Sequence, residues 1–395
     1  MASSIKFRLR RLKTAITAAV ITACLFSFAA FNSRAAEPVY IRVLVLENRN
    51  SASLAIEGSY EVLDKKTGTV LFSGTDLNTT LLEYNNTLLL GEVNHKADSV
   101  IIRPLESNVI KIDGREFRGD IRFTSDKEGN GFSAINYLEL EEYVKGVLYH
   151  EVSHYWPIEA LKAQAIASRT FALYQHRMNR TKDYDLTADI YSQVYGGKTS
   201  ERYRTNRAVE ETRGQIIIYN NEILPAYYSA TCAGHTEDAS RLWDVNIAPL
   251  KGVECGYCAD SPHFKWHRVI ALQDIRDALN KTGLAINQDI KEISILSRDV
   301  SGRIDGMRIH FGGGSIDISG KNFRNAIGPN IVRSTNFKVR VNKNHAFFAG
   351  RGWGHGAGLR QWGAYFMAKR GFRFRKIIGF YYPGSRIGLI DEVEP

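Results

Sequence analysis

A switch of hydrophobic period constrains this chain more than any other feature in it. From Val39 to about Phe132 the pattern is that of strands. Val39-Tyr-Ile-Arg-Val-Leu-Val-Leu46 is β-branched and apolar, and shorter runs follow near Ser53–Ile56, Val70–Phe72, Val100–Arg103 and Phe117–Phe123. Lys66-Thr67-Gly68 separates two of them, and Glu128-Gly129-Asn130-Gly131 reads as a hairpin turn. The period then becomes helical. Leu140, Val144, Val147 and Leu148 form an i, i+4, i+7, i+8 stripe, which predicts a helix carrying Glu151 near its carboxyl end. Trp156-Pro157 interrupts it. Pro157 suits the first turn of a second helix, running to about Met178 with Ile158, Leu161, Ala165 and Ala172 on one face. Arg169 lies on that same face, where a charge needs a partner or the border of a cleft.

Beyond Asp189 the pattern is mixed. Strands are expected at Gly214–Tyr219 and Ala226–Ala230, a helix at Asp274–Leu279, paired strands over 292–319 around Ser301-Gly302-Arg303, and two more over 337–350. A glycine-rich stretch, Gly350 to Gly358, precedes a helix from about Gln361 to Arg370, and Tyr381-Tyr382-Pro383-Gly384 closes the fold. The expected class is α+β, with strand-rich lobes around a helical segment. Four regions follow: 1–36, a β-rich 37–132, a core over 133–270 that holds the Glu151 helix, and a β-rich 271–395.

The first region reads as an export signal. Lys6, Arg8, Arg10, Arg11 and Lys13 precede an apolar, Ala/Ile-rich run from Thr14 to Phe31, and small residues at Ala35 and Ala36 mark cleavage after Ala36. The same run is near the lower limit for an uncleaved membrane anchor. Ile21-Thr22-Ala23-Cys24 resembles a lipidation site, but the apolar run continues past Cys24. With Arg34, this region holds six basic residues and no acid, so removing it takes the formal net charge from +10 to +4. The basic balance is therefore no argument for nucleic acid as a partner. A mildly basic surface suits an acidic wall polymer.

Two motifs carry metal chemistry. His150-Glu151-Val152-Ser153-His154 is literally H-E-x-x-H, the zinc-peptidase pattern in which both histidines lie on one helix and the glutamate activates water. Pro157 and the weak helix formers Val152 and Ser153 argue that the helix ends inside the motif, and no glutamate lies between Glu159 and Glu201 to complete the ligand set. The second motif pairs Cys232-Ala-Gly-His235 with Cys255-Gly-Tyr-Cys258. Four such ligands match a closed, structural zinc site and leave none of the three cysteines after Ala36 unpaired. The other reading is a Cys255–Cys258 or Cys232–Cys255 disulfide beside one free thiol, and His263 and His267 are substitute ligands.

Glu151 and Trp156 to Ala172 closely resemble the signature of the SpoIID/LytB family, named for a sporulation stage II protein and an amidase enhancer. Further blocks follow in the family's order. They are Asp189 to Gly197, Tyr227 to Thr236 with Trp243, Ser301-Gly302-Arg303, Gly354 to Ala364, and Tyr381 to Gly384. The resemblance covers the chain beyond the export signal. It implies an exported cell-wall enzyme, a lytic transglycosylase. Such an enzyme cleaves the MurNAc–GlcNAc bond of peptidoglycan without water and leaves 1,6-anhydroMurNAc ends, preferring strands stripped of stem peptides. It places the catalytic acid at Glu151. Tyr143, Tyr155 and Trp156 are candidates for the apolar wall that keeps this acid protonated, and Arg169, Tyr155, Trp156, Tyr195, His355 and Gln361 for holding the strand. The family also implies an alternative, a glycan-binding module without turnover that assists a cell-wall amidase. Its glutamate has variable neighbours, which makes His150 and His154 incidental.

Overall fold

The computed structural model describes residues 38–84, 88–90, 93–95, 99–106, 109–125 and 131–393. The export signal, its cleavage site and most of the 128–131 turn lie outside these residues. Among the described residues no helix is long and apolar enough to cross a membrane.

Eleven strands of the described residues form one sheet. Tyr40–Arg49 pairs antiparallel with Phe132–Glu139 and parallel with the short Leu186–Thr187. From Phe132–Glu139 the sheet continues through Asp120–Ser125, Ser99–Pro104, Ser51–Asp64 and Val70–Tyr84. The last two are far longer than the apolar runs that seed them. Val70–Tyr84 passes through Gly74, which lies over the Tyr60 ring where a Cβ would come within 2.8 Å of its hydroxyl. Conversely, Phe117–Phe123 divides into Arg115–Phe117 and Asp120–Ser125. Gly119 turns the chain with φ +73, and a Cβ there would lie 2.4 Å from the Tyr137 carbonyl oxygen.

Helix α1, Leu140–Glu151, follows Phe132–Glu139 without a loop. Its apolar stripe is buried, and Glu141 and Glu142 occupy the first turn, where the helix dipole favours negative charge. The helix stops at Glu151, because Val152 is fully extended. Helix α2, Ile158–Met178, begins just after Pro157. It is buried almost all round, as befits a helix between two cores. Leu161, Ala165, Ala172 and Leu173 join the core of the large sheet, whereas Ala160, Ala163 and Ile166 join a second core.

Residues from the C-terminal end of the chain complete that second core. The short helices α3 (Tyr203–Glu210), α4 (Leu272–Asn280) and α5 (Gly320–Ile327) precede α6 (Gln361–Lys369) and α7 (Phe374–Tyr381). Met367, Ile377, Ile378 and Tyr381 pack with Ala163 and Ile166. A third core, from Trp266 to Phe348, is built from two three-stranded sheets with α4 and α5. Tyr228–Ser229 pairs parallel with Leu359–Arg360, which brings the glycine-rich stretch against the helical centre. The architecture is α+β, as the pattern of periods predicts.

Candidate functional site

Glu151 ends α1 at the wall of a cleft of about 480 Å³. Its carboxyl receives three donors. Gln361 Nε2 donates to Oε2 at 3.0 Å, and the Tyr228 hydroxyl and the Val194 amide also bond to it. Behind Tyr228 the network is directional. Tyr143 donates its hydroxyl proton to Gln193 Oε1 (2.9 Å), and Gln193 Nε2 donates to the Tyr228 oxygen (2.8 Å), which leaves the Tyr228 proton for Glu151. Burial outweighs the three donors and pushes the Glu151 carboxyl up to about 7 from the usual 4.5. Position at the carboxyl end of a helix also disfavours the anion.

Glu151 is the only carboxylic acid among the described residues that line the cleft. The walls are largely aromatic. Tyr227 and Trp243 stack at 4.0 Å, Trp353 and Tyr228 add two more rings, and Tyr191, 83% exposed, stands with Ile190 at the rim. His355 lines the cleft as a neutral ring. Its Nδ1 accepts the Ala357 amide (3.2 Å) and its Nε2 lies 2.8 Å from the Tyr228 carbonyl oxygen, so Nε2 carries the proton. Burial pushes its pKa well below the ordinary histidine range. The loop that carries it is held by Arg360. This fully buried guanidinium donates to the Gly358 carbonyl (Nε, 3.0 Å), the Ala357 carbonyl and Ser229 Oγ.

The structure thus brings Glu151, His355 and Gln361 to one cleft and places the other expected strand-holding residues elsewhere. Arg169 is fully buried. It forms a two-pronged ion pair with Glu141 (2.9 and 2.7 Å) and also donates to the Gln215 and Val209 carbonyls, so it ties α2 to α1. Tyr195 is a core residue whose hydroxyl donates to Asn136 Oδ1 at 2.7 Å. Trp156 packs 5.0 Å from both Trp362 and Tyr365, outside the cleft lining, and Tyr155 is 80% exposed against His154. Of the three expected to wall Glu151, only Tyr143 does so, from behind through Gln193. Sequence reasoning assigns no role to Tyr228, Gln193 or Trp353, and Trp243 enters it only as part of a family-like block. The available signal is position: Tyr228, Gln193 and Trp243 fall in family-like blocks, and Trp353 immediately precedes one at Gly354.

The zinc-peptidase geometry is absent. Helix α1 ends between the two histidines, His150 Nε2 bonds Ser200 Oγ at 2.5 Å, and His154 lies beyond extended Val152. Cys232, Cys255 and Cys258 do converge, with sulfurs within 4.8 Å of one another and all three side chains buried. His235 does not join them, which corrects the four-ligand set expected from spacing. The turn at Gly234, φ +111, directs its Nδ1 to the Thr236 carbonyl at 2.6 Å. The Tyr381 hydroxyl lies 3.3 Å from Cys255 Sγ instead.

The family described as "Stage II sporulation protein" matches residues 128–219, which contain α1, α2 and Glu151, and a domain of unknown function matches residues 253–358. An uncharacterized protein of Brachyspira hyodysenteriae is 31% identical over 89% of this chain and 93% of its own length. The amidase enhancer of Bacillus subtilis is 27% identical over 76% of the chain, which spans 48% of that relative. Stage II sporulation protein D of Bacillus subtilis is 28% identical over 65% of the chain and 77% of its own length.

Proposed function

The chain belongs to the SpoIID/LytB family, and on that premise we propose that it is an exported lytic transglycosylase of cell-wall peptidoglycan with Glu151 as its acid and then its base. One observation carries this reading. A single carboxyl group, which burial keeps protonated up to about pH 7, faces a cleft in which the described lining offers no second acid. Ordinary glycosidases need two carboxyl groups, one to protonate the leaving oxygen and one to attack C1 or activate water.

With one carboxyl group the chemistry closes when the sugar supplies its own nucleophile. Protonated Glu151 gives its proton to the glycosidic oxygen, and the bond from that oxygen to C1 of the muramic sugar breaks. The resulting carboxylate takes the proton of the C6 hydroxyl, whose oxygen bonds to C1. Glu151 ends as it began, protonated, and no water is consumed. Gln361, Tyr228 and the Val194 amide hold the carboxylate between the two proton transfers, because donors to an oxyanion strengthen as charge develops. Tyr227, Trp243 and Trp353 offer apolar faces to the sugar rings.

The test is digestion of denuded glycan strands in water enriched in heavy oxygen. Transglycosylation gives anhydro ends without label, whereas a labelled reducing end would sink the reading. The amidase-enhancer relative favours a second reading, in which the cleft holds glycan without cleaving it. Strand binding with no product of either kind would put that one in front.

The three cysteines fit a structural zinc ion. Four ligands at about 2.3 Å around zinc stand about 3.8 Å apart, and Cys255 Sγ and Cys258 Sγ are 3.6 Å apart, too far for a disulfide. Cys232, Cys255 and Cys258 would hold the ion, with the Tyr381 hydroxyl, 3.3 Å from Cys255 Sγ, beside the fourth position. Bound zinc would supply folding energy rather than chemistry on glycan. Purified protein should carry one zinc per chain, and Cys258→Ser should lose it and melt at lower temperature. A wild-type protein free of zinc and with titratable thiols would remove the idea.

A further inference from the structure

The cleft holds one permanent cation among its described lining residues, Arg324 of α5, and this cation has no acid partner. Its bonds go to neutral backbone. Nε donates to the Val332 and Arg333 carbonyls (3.1 and 3.3 Å), and Nη2 donates to the Pro329 carbonyl (3.5 Å). Of the five N–H donors of a guanidinium, both on Nη1 and one on Nη2 remain uncommitted. Two parallel N–H groups of this kind match the two oxygens of a carboxylate. The group is costly where it stands. Burial and the neighbouring Arg303 depress its pKa to about 10, so it stays charged at neutral pH without compensation. Arg169, the fully buried arginine of α2, has its carboxylate in Glu141, whereas the partly buried Arg324 has none among the described residues. An arginine held rigidly by three carbonyls, facing a cleft and lacking a counter-ion, fits a site whose counter-ion arrives with the ligand.

We infer that Arg324 reads a carboxylate on the bound strand, and that this is the free lactyl carboxylate of muramic acid. The inference rests on the glycan-cleaving reading above and names the form of glycan the same cleft takes. The lactyl group sits on C3 of the sugar whose C1 and C6 react. A stem peptide converts it to a neutral, bulkier amide. Once the peptide is removed it is a carboxylate at neutral pH, and pairing it with Arg324 orients the ring toward Glu151. Selection for stripped strands then follows from one charge pair. The other source of the same chemistry is a carboxylate of the stem peptide itself.

Binding is measured in the Glu151→Gln background, so that cleavage does not consume the ligand. Three defined strands are compared: denuded with free lactyl groups, denuded with those groups converted to methylamides, and peptide-bearing. The expected result is about 10- to 100-fold tighter binding of the free carboxylate form, the range of a hydrogen-bonded charge pair. Adding Arg324→Gln should remove that preference, so that free and methylamide strands bind alike, and Arg324→Lys should restore part of it. Equal affinity for free and methylamide strands overturns the inference, and that comparison needs no change at Arg324. Preference for peptide-bearing strands that vanishes with Arg324→Gln overturns the lactyl assignment. Absence of anhydro ends from the wild-type protein sinks the catalytic reading alone, because binding is scored separately.

Discussion

Replacing Glu151 by glutamine should disable the protein and stabilise it at once, and the pH at which the stabilisation sets in carries the test. In the folded chain the carboxyl titrates at about 7, because burial penalises its charged form more than Gln361, Tyr228 and the Val194 amide favour it. Unfolded, it titrates near its ordinary 4.5. The folded state therefore holds the extra proton between these values, and wild-type stability falls as pH rises from about 4.5 through about 7. At about 1.36 kcal/mol per pH unit the full loss is about 3 kcal/mol. Glutamine has the same shape and no titration. Its amide N–H groups face donors on one side, at a cost that does not depend on pH. Urea unfolding over a pH series should thus show the stability difference, variant minus wild type, growing by about 3 kcal/mol between about pH 4.5 and about pH 8. In parallel, formation of anhydro ends should fall by at least about 10²- to 10⁴-fold, the usual contribution of one acid–base group. Wild-type kcat/KM should decline above about pH 7 as the acid ionises. A stability difference that stays flat with pH would refute the reasoning about a buried neutral acid, whatever the activity does.

The neighbours of Glu151 give three more expectations. Gln361→Leu removes a donor that favours the carboxylate, so the alkaline limb of the kcat/KM profile should move up by about one pH unit, and a profile that stays in place would argue against the Gln361 contact. Arg169→Met leaves Glu141 charged and buried, which should cost about 3–5 kcal/mol in urea unfolding, while Arg169→Met/Glu141→Leu should recover much of that loss. Gly356→Ala should lower the melting temperature and the activity together, because φ is +101 and the new Cβ would meet Arg303 Cζ at 2.5 Å, and normal melting with full activity would show that the loop has room to give.

What the sequence made legible was periodic. The strand runs, α1 and α2 follow from spacing and from the flanking Pro157, and Glu151 stands at a helix end as the stripe ending at Leu148 implies. Short elements were harder. Helices α3, α5 and α7 span eight residues each, too few turns for a convincing stripe. The two-residue pairing of Tyr228–Ser229 with Leu359–Arg360 depends on partners 131 positions apart. The site suffered most where roles depend on partners. Arg169 and Tyr195 look alike as polar residues inside family-like blocks, and only the structure shows that Glu141 and Asn136 take them. His235 fits a ligand spacing that one backbone turn undoes. Tyr228 and Gln193 matter because Gln193 sits with its carbonyl toward Tyr143 and its amide toward Tyr228, an orientation no spacing encodes.

The cysteine cluster and the acid are linked through the start of α6. The Tyr381 hydroxyl lies against Cys255 Sγ, and α6 passes so close that a Cβ on Gly363 would come 1.8 Å from that hydroxyl. Two residues earlier, Gln361 donates to Glu151, and its neighbour Arg360 pins the loop of His355. The first turn of α6 is therefore held between the cysteines on one side and the cleft on the other. Disturbing the cluster should act on the acid through Gln361 rather than only on folding. Cys258→Ser, assayed well below its melting temperature, should move the alkaline limb of kcat/KM in the same direction as Gln361→Leu, and combining the two changes should add little further shift. A Cys258→Ser protein that melts earlier yet keeps the wild-type pH profile would show that the cluster supports the fold without setting the position of Gln361.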